Sequence, residues 1–181
     1  MTSMPVLLPL QCIKCQTPIL AEPDEVAWLC PNCGQALQLD EKQASGLAGL
    51  EMHFAAGIQS GQRGRPFWVA QGLVTLQRQT YSGDEGRQAL EFWKTPRTFF
   101  VPAFACEMAE LISLGMQLLK QPISMMPAQP GAFLPVTLSP QDVRPMAEFI
   151  IMGIEAERRD MMKSVAIQLN LAKPILWVLP L

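Results

Sequence analysis

The chain carries Cys12-Ile13-Lys14-Cys15 and, after fourteen further residues, Cys30-Pro31-Asn32-Cys33-Gly34. A C-x-x-C pair folds as a tight turn whose backbone N–H groups point at the sulfurs. Two such turns facing one another set four thiolates at the corners of a tetrahedron. Pro31 fixes φ inside the second turn, and Gly34 lets the chain leave it with positive φ. Zinc and a rubredoxin-type iron both accept this ligand set. Two disulfides would require an oxidising compartment. A redox pair needs a single C-x-x-C at a strand-to-helix junction, and Pro18, Pro23 and Pro31 argue against a helix between the two pairs. The ligand chemistry favours one structural zinc ion per chain, held by Cys12, Cys15, Cys30 and Cys33.

The second knuckle, with Pro between its cysteines and Gly after them, resembles those of the zinc-ribbon family, written C-P-x-C-G. The first departs from that pattern, with Ile13 in place of Pro and Gln16 in place of Gly. The resemblance covers residues 1–42 and implies a small metal-pinned module. Within it Thr17–Leu20, Val26–Leu29 and Gln35–Leu39 read as three short strands, with Glu22-Pro23-Asp24-Glu25 as a turn. Lys14 and Lys42 stand against Glu22, Asp24, Glu25, Asp40 and Glu41. A zinc ion with four thiolates adds about two more negative charges. Nucleic-acid affinity comes chiefly from Lys and Arg releasing counterions, so an acidic ribbon is poorly suited to that work.

Of the 181 residues, 49% are hydrophobic and only 17% charged, where a charged share of about 25% is usual. There is material for a substantial core, and eleven Met residues add adaptable apolar surface that suits a protein partner or self-association. The net charge of −2 offers no attraction for a polyanion. Residues 1–11 contain no Lys or Arg, and Pro9 breaks their apolar run, unlike a secretory signal. The longest later apolar run, Met146 to Ile154, is far below the roughly 18–20 residues of a membrane span. A cytoplasmic protein is expected.

Residues 43–65 are ambiguous. Leu47, Leu50, Phe54 and Ile58 approach a helical period that Gly46, Gly49 and Gly57 interrupt, while Met52 to Phe54 could form a strand. Gln59 to Arg65 reads as a flexible connection, or as a basic Arg-Gly contact. Residues 66–181 suggest a two-layer α+β domain with a mainly antiparallel sheet and two helices. Phe67–Gln79 is a long strand, bent or bulged at Gly72, followed by a turn over Tyr81–Gly86. Phe99–Val101 is a second strand, Cys106–Lys120 a helix, and the Pro-rich run Gln121–Val136 an extended surface loop. Ser139-Pro140-Gln141-Asp142 announces a second helix, with a kink or fresh start at Pro145. Met146–Ile154 reads as buried all round, and Glu155–Asp160 as a solvated turn. Val165–Leu171 and Ile175–Leu179 read as a terminal hairpin about Ala172-Lys173-Pro174.

No phosphate loop, dinucleotide fingerprint or hydrolase elbow is present. His53 is the only histidine, and Cys106 is the fifth cysteine, close to a helix start. A Cys106 nucleophile with His53 as base is conceivable, but each sits in an apolar stretch that packing alone explains. No catalytic residues are assigned. The sequence points first to a non-enzymatic zinc-ribbon adaptor or scaffold, next to a nucleic-acid-associated accessory protein, and last to a Cys106-dependent enzyme.

Overall fold

The computed structural model describes residues 10–43, 45–82 and 85–181, so the readings of residues 1–9 and of the turn tip at Gly83-Asp84 lie outside the described residues. Strands β1 (Ala27–Leu29) and β2 (Ala36–Leu39) pair antiparallel, with Trp28 opposite Leu37. The third strand of this small sheet, β3 (Leu47–Gly49), lies on the other side of β2 and comes from the ambiguous segment. Thr17–Leu20 is not a sheet strand, making only an isolated bridge from Pro18 to Gln11. Pro18 has no N–H to extend a ladder, and Leu20 is 95% exposed with no apolar face to join.

The rest of the ambiguous segment supplies β4 (Met52–Ala55) to a second, larger sheet. That sheet is built on β5 (Arg65–Ser82), an eighteen-residue strand. After it come α1 (Gly86–Trp93), β6 (Arg97–Pro102), α2 (Met108–Lys120), β7 (Pro127–Ala128), a 3-10 turn over Pro140–Asp142, α3 (Val143–Ala156), β8 (Met161–Leu171) and β9 (Ile175–Leu179). The strand order is β6-β5-β9-β4-β7, with β8 also on β5. Every pairing is antiparallel except that of β4 with β9. The fold is therefore mixed α+β and mostly antiparallel, with three α-helices among the described residues rather than two. The helix missed by the sequence reading is α1, whose Ala89 and Trp93, one turn apart, are both buried against the core.

The expected terminal hairpin is absent. Leu171 lies opposite Gly72 and Ile175 opposite Val69, so β8 and β9 run on in one direction along the same edge of β5. Three residues, Ala172 to Pro174, face two on β5, which makes a bulge, and the Ala172 N–H still donates to the Gln71 carbonyl at 2.8 Å. Gly72 is no bulge either, for it stays in register with both Arg97 and Leu171. A Cβ there would sit 2.7 Å from the Phe99 ring, so the glycine admits that side chain. The irregularity of β5 lies instead between Gln79 and Ser82.

Ser139 Oγ accepts from the Gln141 N–H, and α3 starts afresh at Val143. Pro145 then falls in the first turn, where no N–H is needed. Burial all round is not observed: Ala147, Ile150, Ile151 and Ile154 are buried, while Phe149 and Met152 face solvent. Among the described residues no helix is long and apolar enough to cross a membrane. The Pro-rich run wraps the sheet: β7 pairs with β4, and Ile123, Met125 and Leu134 cover the face formed by Phe67, Val69 and Phe100. It also fastens the expected flexible connection. Gly64 exchanges bonds with Ala132 and Leu134, Arg63 Nε donates to the Phe133 carbonyl, and Arg65 lies over the Phe104 ring.

Two features join distant parts of the chain. The Val26 N–H donates to the Val136 carbonyl at 2.8 Å, and Ala27 and Val136 are both fully buried in the core that contains Trp68 and Leu176. The small sheet thus shares the core of the large one. The second is charged. Glu155, expected in a solvated turn, is 1% exposed; its Oε1 accepts from Trp93 Nε1 and Arg158 Nε, both at 2.9 Å, and its Oε2 lies 2.7 Å from Arg78 Nε. Arg78 also grips Asp160 through both terminal nitrogens. Buried charges persist only when paired in this way.

Two expectations follow from this architecture. A protein beginning at Gly64 lacks β4, which lies between β9 and β7 and buries Phe54 and Ala55, so its thermal melt should lose cooperativity; a sharp, native-like transition would show β4 to be dispensable. The hydrogen bond from Arg78 holds the Asp160 carboxyl below its usual range despite burial. That stability is present above the unfolded value of about 3.9 and is lost as pH falls towards the lowered one. Denaturant titrations should therefore find Asp160→Asn destabilising at neutral pH, with a shallower acid limb than the wild type; parallel acid limbs would contradict the pairing.

Candidate metal centre

The two knuckles are built alike. The Cys12 N–H donates to the Thr17 carbonyl and the Gln16 N–H to the Cys12 carbonyl; in the second knuckle Cys30 bonds Gln35 and Gly34 bonds Cys30 in the same pattern, all four at 2.9 Å. The chain leaves each with positive φ, 59° at Gln16 and 69° at Gly34. Gln16 therefore adopts the left-handed conformation in which glycine is usual, at a local cost of roughly 1–2 kcal/mol.

The four sulfurs lie within 4.8 Å of one another. Cys12 Sγ is 3.6 Å from Cys33 Sγ, and Cys15 Sγ is 3.5 Å from Cys30 Sγ, so each close contact crosses from one knuckle to the other. A tetrahedral ion with metal–sulfur bonds of about 2.3 Å has S···S edges of about 3.8 Å. The spacing fits a shared metal ion. Cys12 and Cys30 are buried with Ile19, Trp28, Leu37 and Leu47, an apolar shell on the inner side of the site, while Cys15 and Cys33 are half-buried on its outer side.

Charge makes the same demand. Hydrogen bonds from the Thr17 hydroxyl and backbone lower Cys15 to about 5, against the effect of burial. Burial works to raise Cys12, but the Cys15 and Lys14 N–H groups outweigh it and its pKa is lowered. At Cys33 the Gln35 N–H lowers the pKa, yet burial and the other three sulfurs together push it up to about 12. Without a cation the sulfurs thus compete for ionisation. A bound metal ion would relieve that competition, since thiolates are its ligands.

The remaining candidates stand elsewhere. Cys106 is partly buried beside Phe104, and burial, then Glu110 and Glu107, raise its pKa against the opposing charge of Arg65. That thiol stays protonated at neutral pH, unlike an activated nucleophile. His53 Nε2 lies 2.9 Å from Glu51 Oε1, and its ring packs on Trp177 at 4.8 Å between centroids. No hydrogen bond joins Cys106 to His53. Two residues of the metal unit carry more than the sequence reading assigned them. Thr17 supports Cys15, with its Oγ1 3.2 Å from Sγ, and Ala27 anchors the unit in the main core. Thr17 was legible as the second residue past Cys15, while Ala27 had no local signal.

Because Ala27 is three residues from Cys30, loss of the ligand should be felt in the large sheet. Cys30→Ser, or removal of metal by a chelator, should lower the far-ultraviolet melting temperature of the whole protein by roughly 5–10 °C, the equivalent of losing burial of Val26, Ala27 and Leu50. An unchanged melt would mean that the metal unit is energetically separate.

No protein-family model matches the chain, and no curated protein or solved structure matches it either. The four-cysteine cluster, with geometry that could hold a metal ion, is what the chain's own residues establish.

Proposed function

We propose that the protein is a zinc-ribbon adaptor, in which Cys12, Cys15, Cys30 and Cys33 hold one structural zinc and the folded α+β body presents surfaces to a protein partner. The observation that carries this reading is the donor set: four protein sulfurs within 4.8 Å of one another, which would fill a tetrahedral ion and leave no coordination position for a substrate. Zinc is favoured over iron because a redox-inert ion suits a site whose task is to pin two turns. A site of four metal-binding thiolates suits a reducing compartment such as the cytoplasm, where cysteines are kept from forming disulfides. Leu20, Met108, Phe149 and Met152 give the surface apolar side chains suited to protein contact. A nucleic-acid role has less support, since Arg63 and Arg65 are engaged within the chain.

Elemental analysis of protein from medium balanced in zinc and iron should give close to one zinc per chain; no metal, or iron recovered reproducibly, would overturn the zinc assignment. In cells, photo-crosslinking through the wild-type protein should give protein–protein products that Cys30→Ser loses. Products dominated by nucleic acid would replace the adaptor reading with the accessory one.

A further inference from the structure

A cleft of about 240 Å³ separates the Glu22–Glu25 turn of the metal unit from the main body. Its floor is apolar, made by Phe104, Leu134 and Pro135, and its rim carries Glu22, Asp24 and Glu25. Among the described residues none of these three carboxylates forms an ion pair; Glu25 Oε2 only accepts the Glu22 N–H, at 3.2 Å. Along the surface past Phe104 come Glu107 and Glu110, whose charge is felt at Cys106. The cation beside this floor is Arg65, whose guanidinium lies 5.6 Å from the centroid of the Phe104 ring with no carboxylate partner among the described residues. Arg65 shows what the floor accepts, a cation resting on an aromatic face, and it leaves the neighbourhood strongly acidic.

We propose that this cleft is the docking site for a cationic, apolar segment of a partner protein, a stretch in which Lys or Arg alternates with Leu-like residues. The inference rests on the adaptor reading and adds to it the chemistry of the partner. Apolar side chains would cover Phe104 and Leu134, and the cationic groups would meet the rim. The complementarity is of the kind that speeds encounter and rejects acidic competitors. The metal would govern the rim. The turn is carried between Ile19, which packs against the Cys12–Cys30 cluster, and β1, which leads directly into Cys30. The two sides of the cleft thus come from parts of the chain that only the metal unit's docking holds in register.

The test uses the full-length, metal-loaded protein and three fluorescein-labelled synthetic peptides that alternate Leu with Arg, with Gln or with Glu, followed by fluorescence anisotropy. The Arg peptide should bind. Its affinity should fall roughly tenfold or more in the combined Glu22→Gln, Asp24→Asn, Glu25→Gln variant, and similarly at high salt. Glu22 and Asp24 are exposed and Glu25 is half-buried, with its Oε2 on the Glu22 N–H, so an unchanged far-ultraviolet melt is required to certify that the variant is folded. Leu134→Ser, measured separately, should weaken binding without abolishing its salt dependence. The proposal is overturned if the Arg peptide does not bind, if the Gln peptide binds as well, or if the combined variant binds as the wild type does. It is equally overturned if the cleft's occupant is a second copy, seen as self-association in sedimentation that the combined variant abolishes, or a divalent cation that the variant no longer binds. Each of these would leave the adaptor reading standing, since that is judged by the zinc content and the cellular cross-links.

Discussion

Every N–H and C=O of an eighteen-residue strand needs a partner, and β5 imposes that requirement on the whole molecule. One edge is met by β9 and β8 in succession, from Arg65 to Ser82, with a three-residue bulge where one gives way to the other. The opposite edge is paired with β6 only from Phe67 to Gly72. Beyond it α1 packs against the strand, burying Ala89 and Trp93. The C-terminal strands are thus committed to β5 rather than to each other, and for that reason a hairpin is not formed.

The same strand places the two groups of residues that couple the N-terminal metal unit and the charge cluster to the fold. Trp68, near its start, donates its indole N–H to the Leu138 carbonyl and lies in the core that receives Ala27 and Val136. Arg78, near its end, is the cation on which Glu155 and Asp160 converge. A small N-terminal unit of this length has little apolar stock of its own. Inserting Ala27 into the larger core gives it an anchor besides the four-cysteine cluster. It also makes the position of the acidic turn at Glu22–Glu25 a property of the assembled protein.

The cysteine spacing, the second knuckle's Pro and Gly, the long strand, the helix at Met108–Lys120 and the cap at Ser139 were all legible, because each is a local pattern of period, turn chemistry or ligand separation. Gln16 was marked as a departure in the sequence, and the structure shows that the backbone takes the left-handed turn regardless of the side chain. The clustering of the four cysteines could be read from sequence since a C-x-x-C turn is nearly self-contained.

What only the tertiary structure decided are matters of pairing across distance. Leu47–Gly49 and Met52–Ala55 are short apolar runs that fit helix or strand equally; β2 and β9 offered each an edge, and that settled them as strands. Glu155 looked solvated in a run of charged residues, but its partners Arg78 and Trp93 lie more than sixty residues away and leave no trace in its neighbours. Ala172-Lys173-Pro174 has turn composition, and became a bulge because β5 was long enough to hold the strands on both sides of it. Local chemistry determines which turns and periods a segment can adopt; the partner that buries its apolar face and pairs its backbone determines which of them it does adopt.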